Sequence, residues 1–251
     1  ILDTASLSGY INSVPARPGS AKQNSDLLSM TTAAAVIIGN EILSGKFTDE
    51  NGPWLAKRLR EIGVDLCRIA VIPDDRGTIA STVQAFSEHY DFVFTSGGVG
   101  PTHDDVTFEG IAMAFNVPIK RNVAMAEAIR QRMGEEPPPA ALRMADLPDG
   151  TTLIGDGLPV FVCRNVVILP GVPKYFQQKF QQFAHRLHGT PVQTRRITTR
   201  ARESAIAHHL ATAARRWEAV DIGSYPRVGE TPPTVIITLD SRDPEALGDA
   251  W

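Results

Sequence analysis

The stretch Thr95-Ser-Gly-Gly-Val-Gly-Pro-Thr-His-Asp-Asp-Val-Thr107 follows a short apolar run, Phe92–Phe94, and precedes Phe108, Ile111 and Phe115 at helical spacing. Its glycines leave the backbone free to adopt positive φ and to approach a ligand without hindrance from a Cβ atom. Successive N–H groups in such a turn, just before a helix, form a site for a phosphate group. The pattern therefore predicts a strand, a phosphate-binding turn and a helix, the repeating unit of an α/β fold.

Two carboxylates, Asp104 and Asp105, follow the glycines, and His103 precedes them as the one histidine that is a candidate site residue. The carboxylates repel a phosphate, but a hard divalent cation can bind carboxylate and phosphate oxygens at the same time, as is usual for Mg²⁺. The alternative, a plain connection between strand and helix, fits a bare Gly-Gly-x-Gly better than this longer motif. The two standard phosphate motifs of dinucleotide-binding and P-loop proteins are absent from the sequence. The stretch therefore suggests chemistry on a nucleotide or a similar phosphoester.

The composition is that of an ordinary globular protein, with 251 residues, 43% hydrophobic and 21% charged. The net charge of −3 argues against a nucleic-acid partner, which usually requires a basic face. No apolar run approaches the roughly 20 residues that span a bilayer, so no membrane segment is expected. Cys67 and Cys163 lie in apolar, strand-like runs and are predicted to be buried thiols. Thiols of this kind indicate a reducing compartment, which predicts a cytoplasmic location.

The two ends of the chain differ from its middle. Residues 1–29 hold scattered Ser, Pro, Gly and Asn without a sustained period, and are predicted to be a poorly ordered tail or leader, with Met30 as a possible natural start. The chain stops at Trp251 shortly after a predicted strand, without a closing helix, which suggests a truncated last domain. We therefore predict a main domain over residues 30–188 and a small α+β domain over residues 189–251.

Strands and helices are predicted to alternate in the first half of the chain. Apolar runs at residues 33–38, 64–72 and 91–95 indicate strands, with an amphipathic helix predicted from Pro53 to Gly63 and another after Asp75. Such alternation implies a parallel sheet with helices on both faces, and ligands bind beyond the carboxyl ends of its strands.

Several acidic side chains follow these carboxyl strand ends and are expected to crowd one rim of the sheet: Glu41, Asp74, Asp75, Asp104 and Asp105. For each acid taken alone, capping of a helix N-terminus is an equally good interpretation. For the whole set beside a phosphate loop, a metal site or acid–base chemistry is the stronger one.

The second half of the chain adds a further loop to this rim. Residues 159–163 and 165–169 are predicted to form a hairpin that turns at Arg164. The second strand runs into Pro170-Gly-Val-Pro173, which forms either another wall of the pocket or a plain turn with proline at a helix start. Beyond Thr190 the pattern is strand, helix, strand, strand.

The residues from Ala33 to about Phe183 resemble the molybdenum-cofactor-biosynthesis, or molybdopterin-binding, domain family. The resemblance is carried by four segments: Gly39-x-Glu-Ile-Leu-x-Gly45, Pro73-Asp74, Gly97-Gly-Val-Gly-Pro-Thr-x-Asp-Asp-Val-Thr107 and Leu169-Pro-Gly-x-Pro173. Within the family, the chain is most similar to competence/damage-inducible protein A and to the N-terminal domain of eukaryotic FAD synthase. The residues after Thr190 resemble the small α+β domain that follows in those proteins.

The resemblance implies a three-layer αβα sandwich around a mainly parallel sheet, in a protein that forms homo-oligomers. It implies a hydrolase that cleaves a dinucleotide pyrophosphate, with FAD or ADP-ribose as substrate and Mg²⁺, Co²⁺ or Mn²⁺ as the metal. The catalytic aspartates of the family fall on Asp74 and Asp105. Alternatives are adenylyl transfer to molybdopterin, and a non-catalytic module that binds a pterin or flavin nucleotide.

The expected site residues follow from the resemblance together with the loop chemistry. The metal ligands are expected to be Glu41, Asp104 and Asp105. The phosphate-binding residues are expected to be Ser96, Gly97, Gly98, Val99, Gly100, Thr102 and Gly171.

Overall fold

The chain is described by a computed structural model that covers residues 30–155, 159–227, 229 and 233–251. The predicted tail or leader at residues 1–29 lies outside the described residues. The chain divides into two compact units, which are described separately. The first contains the described residues up to Lys57 together with Asp65–Leu187, and the second contains Arg58–Val64 and His188–Trp251.

The first unit is built on a six-stranded sheet with the strand order β2-β1-β3-β8-β7-β6. The six strands of this sheet are β1 (Thr32–Ile38), β2 (Asp65–Ile72), β3 (Phe92–Ser96), β6 (Thr152–Ile154), β7 (Val160–Cys163) and β8 (Val166–Leu169). Two further strands, β4 (Ile119–Arg121) and β5 (Asp146–Pro148), form a separate two-stranded sheet. Its helices are α1 (Asn40–Leu43), α2 (Asn51–Ile62, which ends in the second unit), α3 (Arg76–His89), α4 (Thr107–Phe115), α5 (Val123–Met133), α6 (Pro139–Arg143) and α7 (Pro173–Ala184). Strands β2, β1, β3 and β8 run parallel, whereas β7 and β6 are antiparallel to their neighbours.

Strand β1 is apolar and buried from Ala33 to Ile38 because both faces of the sheet at this position are covered. Its residues Ala34 and Val36 share a hydrophobic core with Ile79 and Val83 of α3. Side chains of α4, including Ile111, belong to the same core. Helices α3 and α4 therefore cover one face.

The opposite face is covered by α7, whose buried Phe176, Phe180 and Phe183 recur at helical spacing. The rings of Phe180 and Phe183 contact Phe94 of β3, with centroids 5.6 and 6.1 Å away. Trp54 of α2 meets Phe180 edge to face at 5.4 Å. Helices on both faces of a mainly parallel sheet confirm the predicted αβα sandwich.

The hairpin predicted around Arg164 is also confirmed. Strands β7 and β8 pair antiparallel, and Arg164 turns between them with φ of 54°. Its guanidinium lies 4.3 Å from the centroid of the Phe115 ring, so the turn residue also contacts α4.

The second unit has the predicted order of strand, helix, strand and strand. Its elements are β9 (Gln193–Thr199), α8 (Glu203–Arg216), β10 (Asp221–Arg227), β11 (Thr234–Ser241) and α9 (Pro244–Ala250). The three strands form an antiparallel sheet in the order β10-β11-β9. Alternate residues of β11, namely Val235, Ile237 and Leu239, are buried in its core.

Three expectations about local structure were wrong. A helix, α9, follows the last strand, and Asp243 caps its start by accepting from the amides of Glu245 and Ala246. Cys67 is exposed, since β2 is an edge strand, whereas Cys163 is buried as expected. Helix α2 begins at Asn51, two residues before Pro53, because Asp49 accepts from the amides of Asn51 and Gly52. Within the described residues, no helix is long and apolar enough to cross a membrane.

Candidate functional site

The loops that leave four parallel strands meet at one edge of the sheet. The amide of Gly97, after β3, donates to the carbonyl of Leu169 at the end of β8, at 3.2 Å. The amide of Gly39, after β1, donates to the carbonyl of Ile72 at the end of β2, at 3.1 Å. The four segments of sequence that carry the family resemblance are therefore neighbours in space.

Gly97 lies where these loops approach one another most closely. A Cβ atom there would lie 2.2 Å from the carbonyl oxygen of Ile38, and the residue has φ of 104°. A Cβ atom on Gly171 would lie 3.3 Å from the Cα atom of Gly97. Glycine at position 97 is therefore required both by the backbone conformation and by the neighbouring strand end.

Thr107 holds the carbonyl groups of the glycine loop toward the protein. Its hydroxyl donates to the carbonyl of Gly97 at 2.9 Å, and its amide donates to the carbonyl of Gly98 at 3.0 Å. Thr107 is fully buried, and a Cβ atom on Gly98 would lie 2.3 Å from its hydroxyl oxygen. The first residue of α4 thus binds two consecutive carbonyl groups of the loop, one through its side chain and one through its amide.

The amides of this loop are available for a ligand. In the described part of the chain, the N–H groups of Gly98, Val99 and Gly100 donate no hydrogen bond. Helix α4 follows with no side-chain cap, and the amides of Phe108 and Glu109 in its first turn are likewise without an acceptor there. Unpaired amides of a glycine loop and of a helix N-terminus are the donors that bind phosphate.

Asp105 closes a turn within the loop. Its Oδ2 accepts from the amide of Thr102 at 2.8 Å and also from the Thr102 hydroxyl, while its own amide donates to the carbonyl of Thr102. The residue before α4 is Val106 and no side chain caps this helix, so Asp105 does not serve as its cap. Thr102 was expected to bind phosphate, but its amide and its hydroxyl both already donate to Asp105.

Asp74 lies at the centre of the acidic set. Its Oδ2 accepts from the amide of Asn40 at 2.8 Å. Burial raises the pKa of Asp74 above its ordinary value, and the charges of Glu41, Asp104 and Asp105 raise that pKa further, against the lowering effect of the Asn40 amide. Three of the other four acids expected at the rim therefore lie close enough to Asp74 for their charges to raise its pKa.

Asp75 is the exception and serves as a helix cap. Its Oδ1 accepts from the amide and the hydroxyl of Thr78, both at 2.8 Å, and these bonds lower its pKa. His103 is almost fully exposed and lies 4.0 Å from Asp104. Among the described residues, no three His, Cys, Asp or Glu side chains are arranged as a ready-made metal site.

Two residues of the site were missed by sequence reasoning. Thr107 is part of the glycine motif but was not chosen as a site residue. Asn51 is buried at the start of α2, and its Nδ2 donates to the Ser96 hydroxyl at 2.9 Å and to the Gly171 carbonyl at 2.7 Å. The only local signal for Asn51 was its place after Asp49, at the start of a helix.

Two family models match the chain. A family model described as the probable molybdopterin binding domain matches residues 34–189. A model described as the middle domain of FAD synthase matches residues 191–251.

Several known proteins are similar to the chain. A protein of Archaeoglobus fulgidus is 33% identical over 218 residues, which is 86% of this chain and 93% of that protein. A probable FAD synthase of Caenorhabditis elegans is 34% identical over 249 residues, and the aligned region covers 86% of this chain but only 48% of that protein. The chain thus spans about half the length of that relative.

A solved structure has a similar fold. The protein CinA of Thermoplasma acidophilum, whose function is described as unknown, is 29% identical and superposes with a TM-score of 0.59, over 62% of this chain and 98% of that one. The family expected from the four segments is confirmed. The chain belongs to the family described as the probable molybdopterin binding domain, whose model covers its glycine loop and the surrounding acids.

Proposed function

We propose that the chain is a divalent-metal-dependent hydrolase that cleaves the pyrophosphate bond of a dinucleotide such as FAD or ADP-ribose. The observation that carries the proposal is the juxtaposition of unpaired amides at Gly98–Gly100 with the acidic set around Asp74. The match of residues 191–251 to the middle domain of FAD synthase supports a flavin dinucleotide as one substrate.

The residues present fit a divalent cation that is held jointly with a ligand. Glu41, Asp104 and Asp105 raise the pKa of Asp74, and a nearby cation would offset this accumulation of negative charge. Among the described residues no group of three protein ligands is assembled, so the proposed cation would be shared with the ligand. Mg²⁺ is usually held by one or two carboxylates together with substrate phosphates and water.

Each part of the site has a role in this reaction. The amides of Gly98–Gly100 bind the diphosphate and stabilise the charge that develops on it. Asp74 orients the attacking water and accepts one of its protons, which its raised pKa favours. The water oxygen bonds to one phosphorus, the bond from that phosphorus to the bridging oxygen breaks, and FAD yields FMN and AMP. A bound divalent cation supplies further charge stabilisation at the phosphate oxygens.

The proposal is tested with the purified full chain, FAD and Mg²⁺, Co²⁺ or Mn²⁺. We expect flavin fluorescence to rise as FMN and AMP are released, and we expect a chelator to abolish the rise. ADP-ribose is assayed in parallel by its release of AMP. The absence of product from both dinucleotides with all three metals would overturn the proposal.

A second candidate, adenylyl transfer to molybdopterin, is favoured by the description of the matching family model. The same loop amides would then bind the phosphates of ATP. Consumption of ATP only when molybdopterin is present would place this reaction first. Tight nucleotide binding in a calorimeter without turnover of any substrate would instead indicate a binding module.

A further inference from the structure

Asn51 links two loops of the site through one buried side-chain amide. The residue is 5% exposed, and its Nδ2 contacts both the Ser96 hydroxyl and the Gly171 carbonyl. A carbonyl oxygen accepts hydrogen bonds and cannot donate them. The contact with Gly171 at 2.7 Å therefore determines which way the amide group of Asn51 faces.

This orientation determines the role of the Ser96 hydroxyl. Because Nδ2 is a donor only, the Ser96 oxygen must accept from it, and the hydroxyl proton must point elsewhere. In the described part of the chain the Ser96 hydroxyl donates to no acceptor. Ser96 directly precedes Gly97, so this unused donor lies at the base of the glycine loop.

The other atom of the amide indicates that Asn51 does more than fill space. Its Oδ1 is buried and has no partner among the described residues. An unpaired buried acceptor costs free energy, and most buried polar atoms in proteins are paired. The hydrogen bonds that this side chain contributes therefore come from its Nδ2 alone.

We propose that Asn51 is a positioning residue that acts through Ser96: by donating to the Ser96 oxygen, it leaves the Ser96 hydroxyl proton free to be donated to the diphosphate of the ligand. This inference rests on the proposed phosphate site. A diphosphate has the matching chemistry, since its oxygens are acceptors only and the loop offers amide and hydroxyl donors.

Two substitutions at position 51 separate this role from simple packing. Asn51→Asp keeps the size of the side chain but replaces the donor with acceptors, so the Ser96 hydroxyl turns toward residue 51 and away from the ligand. Asn51→Ala removes the contact but leaves the hydroxyl free to donate. We expect Asn51→Asp to weaken ADP binding more than Asn51→Ala does. Packing alone predicts the reverse order, because alanine leaves a cavity.

The experiment measures ADP binding to the full chain by calorimetry, with thermal unfolding as the check that each variant is folded. We expect Ser96→Ala to weaken ADP binding about 10-fold, the effect of losing one hydrogen bond to a charged group. In the Ser96→Ala background, Asn51→Ala should have an effect smaller than about twofold, since coupled residues are not additive. If Ser96→Ala and Asn51→Ala weaken ADP binding additively, the inference is overturned. Normal ADP binding by Ser96→Ala would also overturn it, and this result does not require an Asn51 variant that folds.

The outcome is distinguishable from failure of the proposed reaction. Wild-type protein that binds ADP but hydrolyses no dinucleotide would overturn the proposed function, while the comparison of variants still tests Asn51. Wild-type protein that binds neither ADP nor inorganic pyrophosphate would overturn the phosphate site and the role of Asn51 with it.

Discussion

Asp74 and Asp75 are adjacent in the chain but have opposite electrostatic surroundings. Asp74 is partly buried among other acids, and its pKa is raised. Asp75 is exposed at the start of α3, and bonds from Thr78 lower its pKa. An acid whose pKa is raised by folding destabilises the fold once it ionises, and one whose pKa is lowered stabilises it.

The first prediction concerns the pH dependence of stability in Asp74→Asn. The raised pKa means that the folded state binds the Asp74 proton more tightly than the unfolded state does, so this group destabilises the fold increasingly as pH rises above the ordinary value of 3.8. Asparagine cannot ionise and still accepts from the Asn40 amide. We expect the variant to melt at a higher temperature than wild type at pH 7, and expect this advantage to disappear below about pH 3.8.

Thermal unfolding as a function of pH measures this effect. Asp75→Asn is the matched control, because asparagine caps a helix about as well as aspartate and has no raised pKa to relieve. An Asp74→Asn advantage of equal size at pH 3 and pH 7 would show that the charge is not its cause.

The second prediction concerns Asp105→Asn. Asparagine can still accept from the amide and hydroxyl of Thr102, so the turn and the fold should persist. If the charge of Asp105 acts beside phosphate, kcat should fall about 100- to 1000-fold, as for other electrostatic contacts in a transition state. A folded variant with nearly normal hydrolysis would show that the chemistry does not depend on Asp105.

At the scale of elements, the glycine loop owes its conformation to the first residue of α4. Thr107 binds the carbonyls of Gly97 and Gly98 from the inside of the protein, and the amides of Gly98, Val99 and Gly100 have no partner among the described residues. A loop prepared in this way binds phosphate without first losing conformational entropy.

The third prediction therefore concerns Thr107→Val, which keeps the shape of the side chain but leaves the Gly97 carbonyl without its partner. We expect a loss of about 1–3 kcal/mol in the free energy of unfolding, the usual cost of an unpaired buried polar group. ADP binding should weaken as well, because the loop is no longer held. Chemical denaturation and calorimetry measure the two effects.

Thr107→Ser is the control for this experiment, since it retains the hydroxyl. We expect Thr107→Ser to lose less affinity for ADP than Thr107→Val loses. Equal loss of ADP binding in both variants would show that the methyl group, and not the hydrogen bond, holds the loop.

At the scale of the whole molecule, ligand binding should stabilise the fold. A ligand that binds only the folded state raises its stability by about 2.7 kcal/mol at a concentration 100 times its Kd. The fourth prediction is that Mn²⁺ and ADP together raise the melting temperature by more than the sum of their separate effects, because each offsets the charge of the other. A chelator should reverse the additional rise, and strictly additive shifts would contradict joint binding.

The amino-acid sequence alone determined the main elements of the fold. The apolar run of β1, the helical spacing of Phe108, Ile111 and Phe115, and the glycine motif after β3 are local patterns, and each predicted its element correctly. Such patterns are reliable because backbone conformation and side-chain periodicity depend mostly on near neighbours in the chain. The meeting of the loops at one sheet edge followed from the same patterns by the rule for parallel strands.

Only the tertiary structure decided which polar groups are paired. Asn51 bonds to Ser96 and Gly171, which are 45 and 120 positions away, and no local pattern predicts partners at such separations. Cys67 is exposed because β2 is at the edge of the sheet, although its sequence resembles that of a buried strand. The different roles of Asp74 and Asp75 have the same origin, since burial and the charges of distant loops set the pKa of one, while a neighbouring helix turn binds the other.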